Sequence, residues 1–287
     1  MIRASNKSIA VHPDWRPEQA AVDELVAGRH GDPFAILGPH PCGGGVTVRV
    51  LAPAAQAADV IDGRDGRVLA SLEKLHDAGV FAGLIEGLGE PPVYRLRFRS
   101  GDARWDEEDP YRFPPVLGAT DVHLMAEGTH RRLYEKLGAH PIRLEGTEGV
   151  AFAVWAPNAR RVSIVGDFNG WDGRRHPMRK RHEAGVWELF IPGAQREALY
   201  KFEIMGADGE LLPLKTDPIA FSQEAPPSTG SRVLGLVKHE WGDGVWMTAR
   251  GPAGTHGPAP GSRASRTTRW IASDRTRRPA ANSGAST

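Results

Sequence analysis

Residues 150–167 read VAFAVWAPNARRVSIVGD, and this stretch decides the fold. Residues on both sides of its Ala-Pro pair alternate with a period of two, which predicts two short strands joined by a turn. Residues 46–62, VTVRVLAPAAQAADVID, repeat the pattern roughly 100 residues earlier. Two parts of the chain therefore contain the same strand–turn–strand unit.

The repetition continues beyond that unit. Residues 80–98 match residues 186–204, and Asp109-Pro110 matches Asp217-Pro218. A repeat at this period predicts two similar domains and not a solenoid. Each unit has about seven short strands separated by turns, which is typical of an antiparallel immunoglobulin-like β-sandwich of roughly 100 residues. We therefore predict an all-β chain with two tandem immunoglobulin-like β-sandwich domains joined by a short helical bridge.

Helical segments are expected in front of each sandwich. Residues 17–29, PEQAAVDELVAGR, predict a helix that Gly28 and Gly31 end, and residues 130–138, HRRLYEKLG, have a helical pattern that Gly138 ends. The expected boundaries are a helical lead-in at 1–31, the first sandwich at 32–120, the bridge at 121–138, the second sandwich at 139–249 and a tail at 250–287.

The tail has a different composition from the rest of the chain. Residues 250–287 are mostly Gly, Pro, Ala, Ser, Thr and Arg. Apart from Trp270 and Ile271, this segment has no large apolar residues. Such a segment buries too little surface to offset the entropy of ordering, so we expect disorder. Two explanations stay open, an ordinary linker and the out-of-frame translation of a GC-rich gene.

Composition narrows the function classes. The net charge is +1, and Cys42 is the single cysteine, so no internal disulfide forms. No secretory leader or membrane-length apolar run is visible, and we expect a cytoplasmic protein with no membrane partner. Residues 250–287 hold seven Arg and one acid, so the rest of the chain has a net charge of −5 and gives no case for a nucleic-acid partner. Neither a catalytic pair of carboxylates nor a metal or cofactor motif is recognisable, so we predict no catalytic residue, no metal and no cofactor.

The strongest local signal is the stretch 162–172, VSIVGDFNGWD, which predicts a strand followed by a loop with Trp171 at its tip. A sugar ring presents C–H groups on one face and hydroxyl groups around its rim. An indole flanked by amide groups matches both surfaces. Trp171 is therefore a candidate platform for a sugar, and Asn169 is a candidate hydrogen-bonding partner. The alternative is that Trp171 folds back and caps the sandwich.

Three further residues bear on a sugar site. Lys201 alternates with core-type neighbours in the strand 199–204, so it points away from the core and is a third candidate. Trp187 is a fourth, although packing explains it more readily, and Trp155 is expected in the core. The first repeat has the plain turn DGRDG at residues 62–66 where the second has Phe-Asn-Gly-Trp-Asp. We therefore expect carbohydrate binding in the second module.

Several motifs together resemble the N-terminal region of bacterial 1,4-α-glucan (glycogen) branching enzymes, which belong to the α-amylase superfamily. Residues 30–40, HGDPFAILGPH, resemble the entry motif of the first domain, and residues 127–140, from EGTH to LYEKLGAH, resemble its bridge to the next. Residues 151–172, with 199–204 and Asp217-Pro218, are similar to an isoamylase-type carbohydrate-binding module. Residues 224–228, EAPPS, fit the stretch that leads toward the catalytic barrel.

The resemblance implies a glucan-binding role in glycogen biosynthesis. The parent enzyme cleaves α-1,4 bonds and transfers the chain to form α-1,6 branches. Its catalytic barrel, a (β/α)₈ domain, and the carboxylates of that barrel are missing from this sequence. The implied partners are α-1,4-glucans such as glycogen and malto-oligosaccharides, and that barrel if a separate chain supplies it. In related modules, including the β-subunit of AMP-activated protein kinase, Trp171 and Lys201 match sugar-contacting positions, whereas a second tryptophan near residues 210–212 is missing.

Other assignments stay open beside this one. The chain matches the pattern of a standalone glucan-binding or regulatory module, or of a fragment from a related debranching or trehalose-releasing enzyme. The paired domains and the motif at residues 30–40 favour the branching-enzyme interpretation. Whether the chain is itself an enzyme is left undecided, because its family is enzymatic and its own residues offer no catalytic site.

Overall fold

The computed structural model describes residues 15–235, together with 242, 243 and 248. The chain divides into two compact units, 1–237 and 238–287, and the fold given below is that of the first unit. The predicted tail at 250–287 lies outside the described residues.

The first module is a sandwich made from one continuous antiparallel sheet. Its seven strands follow the order β1-β2-β5-β4-β3-β6-β7, and the nine-residue strand β4 pairs with both β3 and β5. The sheet therefore folds over itself around a core that includes Val48, Phe81 and Leu96. The strands are β1 (Gly38–Cys42), β2 (Gly45–Leu51), β3 (Ala57–Asp62), β4 (Val68–His76), β5 (Val80–Glu86), β6 (Tyr94–Ser100) and β7 (Ala103–Glu107).

The second module has two separate four-stranded sheets that pack face to face. Their orders are β11-β12-β9-β8 and β10-β13-β15-β14. Phe152 and Leu189 from one sheet meet Ile164 and Phe202 from the other. The predicted all-β class is thus confirmed. The strands are β8 (Gly138–Leu144), β9 (Thr147–Trp155), β10 (Arg161–Gly166), β11 (Arg179–Arg181), β12 (Val186–Pro192), β13 (Leu199–Met205), β14 (Ser222–Gln223) and β15 (Ser231–Arg232).

The helices correct one detail of the sequence interpretation. Helix α1 (Gln19–Val26) lies within the predicted helix at 17–29. Helix α2 (Ala119–Ala126) precedes the pattern at 130–138, which forms only a 3-10 turn at Leu133–Glu135. That pattern does not continue as an α-helix because two of its apolar residues, Leu133 and Tyr134, stay exposed and bury no face. Both α-helices end at a glycine with positive φ, Gly28 and Gly128, which the left-handed cap of a helix favours.

The duplication extends to individual buried contacts. In the first module the Tyr94 hydroxyl donates to the Asp109 carboxylate over 2.5 Å, and in the second the Tyr200 hydroxyl donates to Asp217 over 2.6 Å. In both modules the second carboxylate oxygen accepts a backbone N–H two residues later. Each pair therefore ties a strand to the chain segment that leaves the sandwich.

The two modules share a core. Leu25, Leu37 and Tyr111 precede the second module in sequence but belong to the same buried cluster as its Phe152 and Trp187. The Tyr111 ring packs edge-on against Phe34 at 5.0 Å between centroids. Phe113 does the same against Phe190 at 4.7 Å. The modules consequently form one packed body and are not two independent sandwiches on a linker.

We expect the second module to be unstable without the first. A fragment of residues 136–235 loses Leu25, Leu37 and Tyr111, and each buried side chain of this size contributes about 1.5–3 kcal/mol. That loss is comparable with the whole free energy of unfolding of a typical domain, about 5–15 kcal/mol. Calorimetry should show one cooperative transition for the two modules in the full chain and no comparable transition for the fragment. A fragment that melts within a few degrees of the full chain would contradict the shared core.

Stability should also depend on the ionisation of Asp109. Burial raises the pKa of this carboxyl from 3.8 to about 6, although Tyr94 and the Tyr111 amide donate to it. The folded protein therefore holds a proton between about pH 4 and 6 that the unfolded chain releases. Stability from this group is present below pH 4 and is lost as the pH rises through 6, by about 3 kcal/mol for a shift of two pKa units.

The Asp109→Asn chain cannot ionise there, so its free energy of unfolding should fall less between pH 4.5 and 7. Urea denaturation at several pH values measures this slope. Asp65→Asn, on an exposed turn, is the matched control and should keep the parental slope. Equal slopes for the parent and Asp109→Asn would show that Asp109 does not titrate in this window.

Candidate functional site

The loop after β10 is a tight, internally bonded turn. Residues Asp167–Asn169 form a 3-10 turn, and Gly170 and Trp171 follow with φ angles of 64° and 63°. The chain then returns along β10, where the Ile164 amide donates to the His176 carbonyl and the Met178 amide donates to the Val162 carbonyl. The loop is therefore a hairpin whose second limb extends the sheet.

Asn169 holds this turn together from inside. Its side-chain oxygen accepts the backbone N–H groups of Gly166 at 3.0 Å and Trp171 at 3.2 Å. Its amide nitrogen donates to the Ile164 carbonyl at 2.9 Å and lies 2.9 Å from His176 Nδ1. The residue is 1% exposed. This corrects the hypothesis that Asn169 hydrogen-bonds a sugar, because its polar atoms are buried and already bonded.

Trp171 remains at the surface of the loop. It is 39% exposed, so more than a third of the residue faces solvent and the rest packs against the protein. A positive φ is rare for a bulky residue and persists only where surrounding contacts fix the backbone. Here the Trp171 amide donates to the Gly166 carbonyl as well as to Asn169. The loop therefore fixes the backbone from which the indole projects.

Lys201 lies near the same end of the β10–β13 pair. It is opposite Val165 in the register, one step from the pair formed by Gly166 and Tyr200. Its Nζ donates to the Thr229 hydroxyl over 2.7 Å, and the bond is exposed. Along the outer edge of β13, where the sequence lacks a second tryptophan, three exposed leucines are present, Leu211, Leu212 and Leu214.

Trp187 and Trp155, the two further tryptophans considered in the sequence, lie in different environments. Trp187 is fully buried, and its Nε1 donates to the Ala156 carbonyl at 2.9 Å. This corrects its inclusion among the carbohydrate-binding candidates. Trp155, which we expected in the core, is 63% exposed at the end of β9. The alternating pattern of the strand predicted that Trp155 is buried. This prediction was wrong because Trp155 is the last residue of β9, where the strand leaves the sandwich.

Residues that the sequence did not single out support the loop from behind. The Tyr111 hydroxyl donates to the Pro177 carbonyl at 3.2 Å and lies 3.4 Å from the Arg175 carbonyl, both on the returning limb. Arg161 is nearly buried, pairs with Glu203 and donates to the Gly173 carbonyl at 3.3 Å. A Cβ placed on Gly28, beyond α1, would lie 3.3 Å from the Arg161 guanidinium. The first module therefore contacts the back of the loop.

The equivalent hairpin of the first module has no exposed aromatic residue. Between β3 and β4, the Asp62 and Asp65 carboxylates accept the backbone N–H groups of Arg64 and Arg67. These bonds make a compact turn without an aromatic side chain. Within the described part of the chain, no group of three or more His, Cys, Asp or Glu residues could hold a metal ion. In residues 15–235 no helix is both long and apolar enough to cross a membrane.

Two family models match separate parts of the chain. The family model for the N-terminal domain of the alpha-1,4-glucan branching enzyme GlgB matches residues 18–111. The model for carbohydrate-binding module 48, the isoamylase N-terminal domain, matches residues 136–220. Trp171 and Lys201 therefore lie within the matched module, and helix α1 lies within the other match.

Two relatives with high sequence identity are 1,4-alpha-glucan branching enzymes. The 1,4-alpha-glucan branching enzyme GlgB of Cereibacter sphaeroides is 56% identical over 234 residues, which are 81% of this chain and 32% of that protein. The enzyme of Pseudomonas aeruginosa is 52% identical over 235 residues, with the same coverage. This chain thus spans about a third of the length of these relatives. A Bacillus subtilis type I pullulanase solved with maltose aligns over 71% of this chain and 28% of its own, with 15% identity and a TM-score of 0.31, too low to support any conclusion.

Replacing Asn169 should loosen the loop. Asn169→Ala removes bonds to Gly166, Trp171 and Ile164 and leaves buried polar groups unsatisfied, at a cost of about 2–3 kcal/mol. Urea unfolding should show that loss, and the Trp171 amide should exchange with deuterium faster. Gln195→Ala removes an exposed amide with one backbone contact and is the matched control. Unchanged stability and exchange in Asn169→Ala would mean that other contacts fix the turn.

Proposed function

We propose, on the premise that this chain belongs to the N-terminal region of the 1,4-alpha-glucan branching enzyme family, that its second module binds α-1,4-glucan through Trp171 and Lys201. The observation that carries the proposal is the position of Trp171. The residue is 39% exposed on a turn whose backbone is fixed by buried hydrogen bonds. A flat apolar surface held in this way suits the C–H face of a glucosyl ring.

Polar and apolar groups near Trp171 complete this candidate surface. The Lys201 ammonium has donor capacity beyond its single bond to Thr229 and can donate to sugar hydroxyls. Leu214 is 43% exposed and adjoins Lys215, which pairs with Phe202, the residue after Lys201 on β13. With one aromatic platform, the expected affinity is millimolar to high micromolar, or roughly −4 to −6 kcal/mol.

The activity of the whole relatives is also a proposal for this chain. Branching, which breaks an α-1,4 bond and forms an α-1,6 bond, would belong to the two thirds of the relatives that this chain does not span. The chain would then supply glucan docking to a catalytic barrel. A cytoplasmic location is part of the same proposal. A standalone glucan-binding module remains the second candidate, because both candidates use the same surface.

Trp171→Ala should weaken the binding of glycogen or maltoheptaose to the full chain about tenfold. One stacked aromatic contributes roughly 1–3 kcal/mol by analogy with stacking on bases, which is a large part of the expected total. Lys201→Ala should weaken binding less. Calorimetric titration, with a melting curve for each variant, measures both effects.

Trp155→Ala is the matched control, since it removes another exposed tryptophan side chain, one that lies on the other sheet of the module. It should bind like the parent, as should a change at Asp65 in the first module. Parental affinity in Trp171→Ala would refute the platform. A much lower melting temperature for that variant would instead show that the indole is part of the core.

A further inference from the structure

A cleft with a volume of about 610 Å³ lies where the two modules meet. One wall comes from the first module and includes Arg95, Glu107 and Glu108 near β6 and β7. The other comes from the second module and includes Phe168 and His176 near the Trp171 loop. The volume is in the range of small-molecule sites, roughly 300–1,000 Å³.

The second module supplies an apolar floor. Phe168 is half-buried and packs against Phe152 at 5.6 Å between ring centroids. Ile191, Pro192 and Ala194 continue this surface at the end of β12. A ring with C–H groups on one face can lie on such a floor without leaving a polar group unsatisfied.

The same module supplies hydrogen-bond donors above the floor. The Asn169 amide nitrogen donates to His176 Nδ1, which assigns the ring proton to Nε2. Burial, with a smaller effect of Arg175, lowers the pKa of His176 to about 3, so its ring is neutral at pH 7. Among the described residues neither His176 Nε2 nor the Arg175 guanidinium has a side-chain hydrogen-bond partner. Both residues line the cleft, and each has an N–H group that can donate to a ligand there.

The first module supplies acceptors on the opposite wall. Glu107 is exposed and accepts one bond, from Trp105 Nε1 at 3.0 Å, which leaves acceptor capacity free. Asp106 and Glu108 are neutralised by ion pairs with Arg97 and Arg112. An anionic ligand would face the Glu107 carboxylate on this wall, and a cationic ligand would face the Arg175 guanidinium on the other. A neutral ligand whose hydroxyl groups both accept and donate satisfies the two walls together.

We propose that this cleft is a second α-glucan subsite that exists only when the two modules are packed together. The inference rests on the proposed function, because it assumes the same class of ligand. Asp167 and Phe168 line the cleft and belong to the same turn that leads to Trp171. One glucan chain that crosses this turn would contact both subsites, and the two contacts would strengthen each other.

Chemical-shift mapping of the full chain with maltoheptaose tests this proposal. The parent should show shifts at Trp171 and at cleft residues of both modules. In Trp171→Ala the cleft shifts should persist. Adding Arg175→Ala or Glu107→Gln to that chain should weaken the remaining binding about fivefold, as expected for one lost hydrogen bond of about 1 kcal/mol. Arg67→Ala and Glu90→Gln, on exposed turns outside the cleft, are the matched controls and should change nothing.

The outcomes separate this inference from the proposed function. Saturating shifts at Trp171 with none in the cleft would overturn the second subsite and leave the platform intact. Cleft shifts without shifts at Trp171 would support the cleft and refute the platform. Shifts in the cleft with inorganic phosphate but not with maltoheptaose would show an anion site and overturn the proposal. Melting curves for each variant exclude loss of fold as the cause.

Discussion

The structure depends on burying Tyr111 between two modules. Its ring belongs to the core of the second sandwich, whereas its backbone amide donates to Asp109, which the Tyr94 hydroxyl ties to the first sandwich. The residue can satisfy both environments only if the modules adopt one relative orientation. That orientation creates the cleft and places the first module behind the Trp171 loop.

The candidate surface is therefore held in place by residues that are not part of the surface itself. Asn169 fixes the turn locally, Arg161 and Glu203 brace it from the sheet, and Tyr111 contacts its returning limb. Such supporting groups do not touch a ligand but decide how accurately the exposed groups are placed. The first module is also a sandwich and has an equivalent buried Tyr–Asp pair, but its corresponding hairpin carries no aromatic side chain.

The repeat, the two sandwiches and the exposed Trp171 could be predicted from the sequence, because alternation and turn residues are local signals. The roles of Asn169, Trp187 and Trp155 could not. An asparagine in a turn has the same local signature whether its amide bonds the chain or a ligand. Burial of a strand residue depends on where the partner sheet ends, which no local pattern shows. Val22, Gly28 and His30 recur as Val122, Gly128 and His130, so the helices could have been recognised as one repeated element.

The left-handed backbone of Trp171 has a consequence for the cost of recognition. A side chain on a flexible loop must lose conformational freedom when it captures a ligand, at about 0.5–1.5 kcal/mol for each immobilised group. At Trp171 folding has already met the backbone part of that cost, because buried bonds hold the turn in a conformation that tryptophan rarely adopts. A weak ligand with few contacts benefits most from such preorganisation, since little of its small binding energy is spent on ordering the protein.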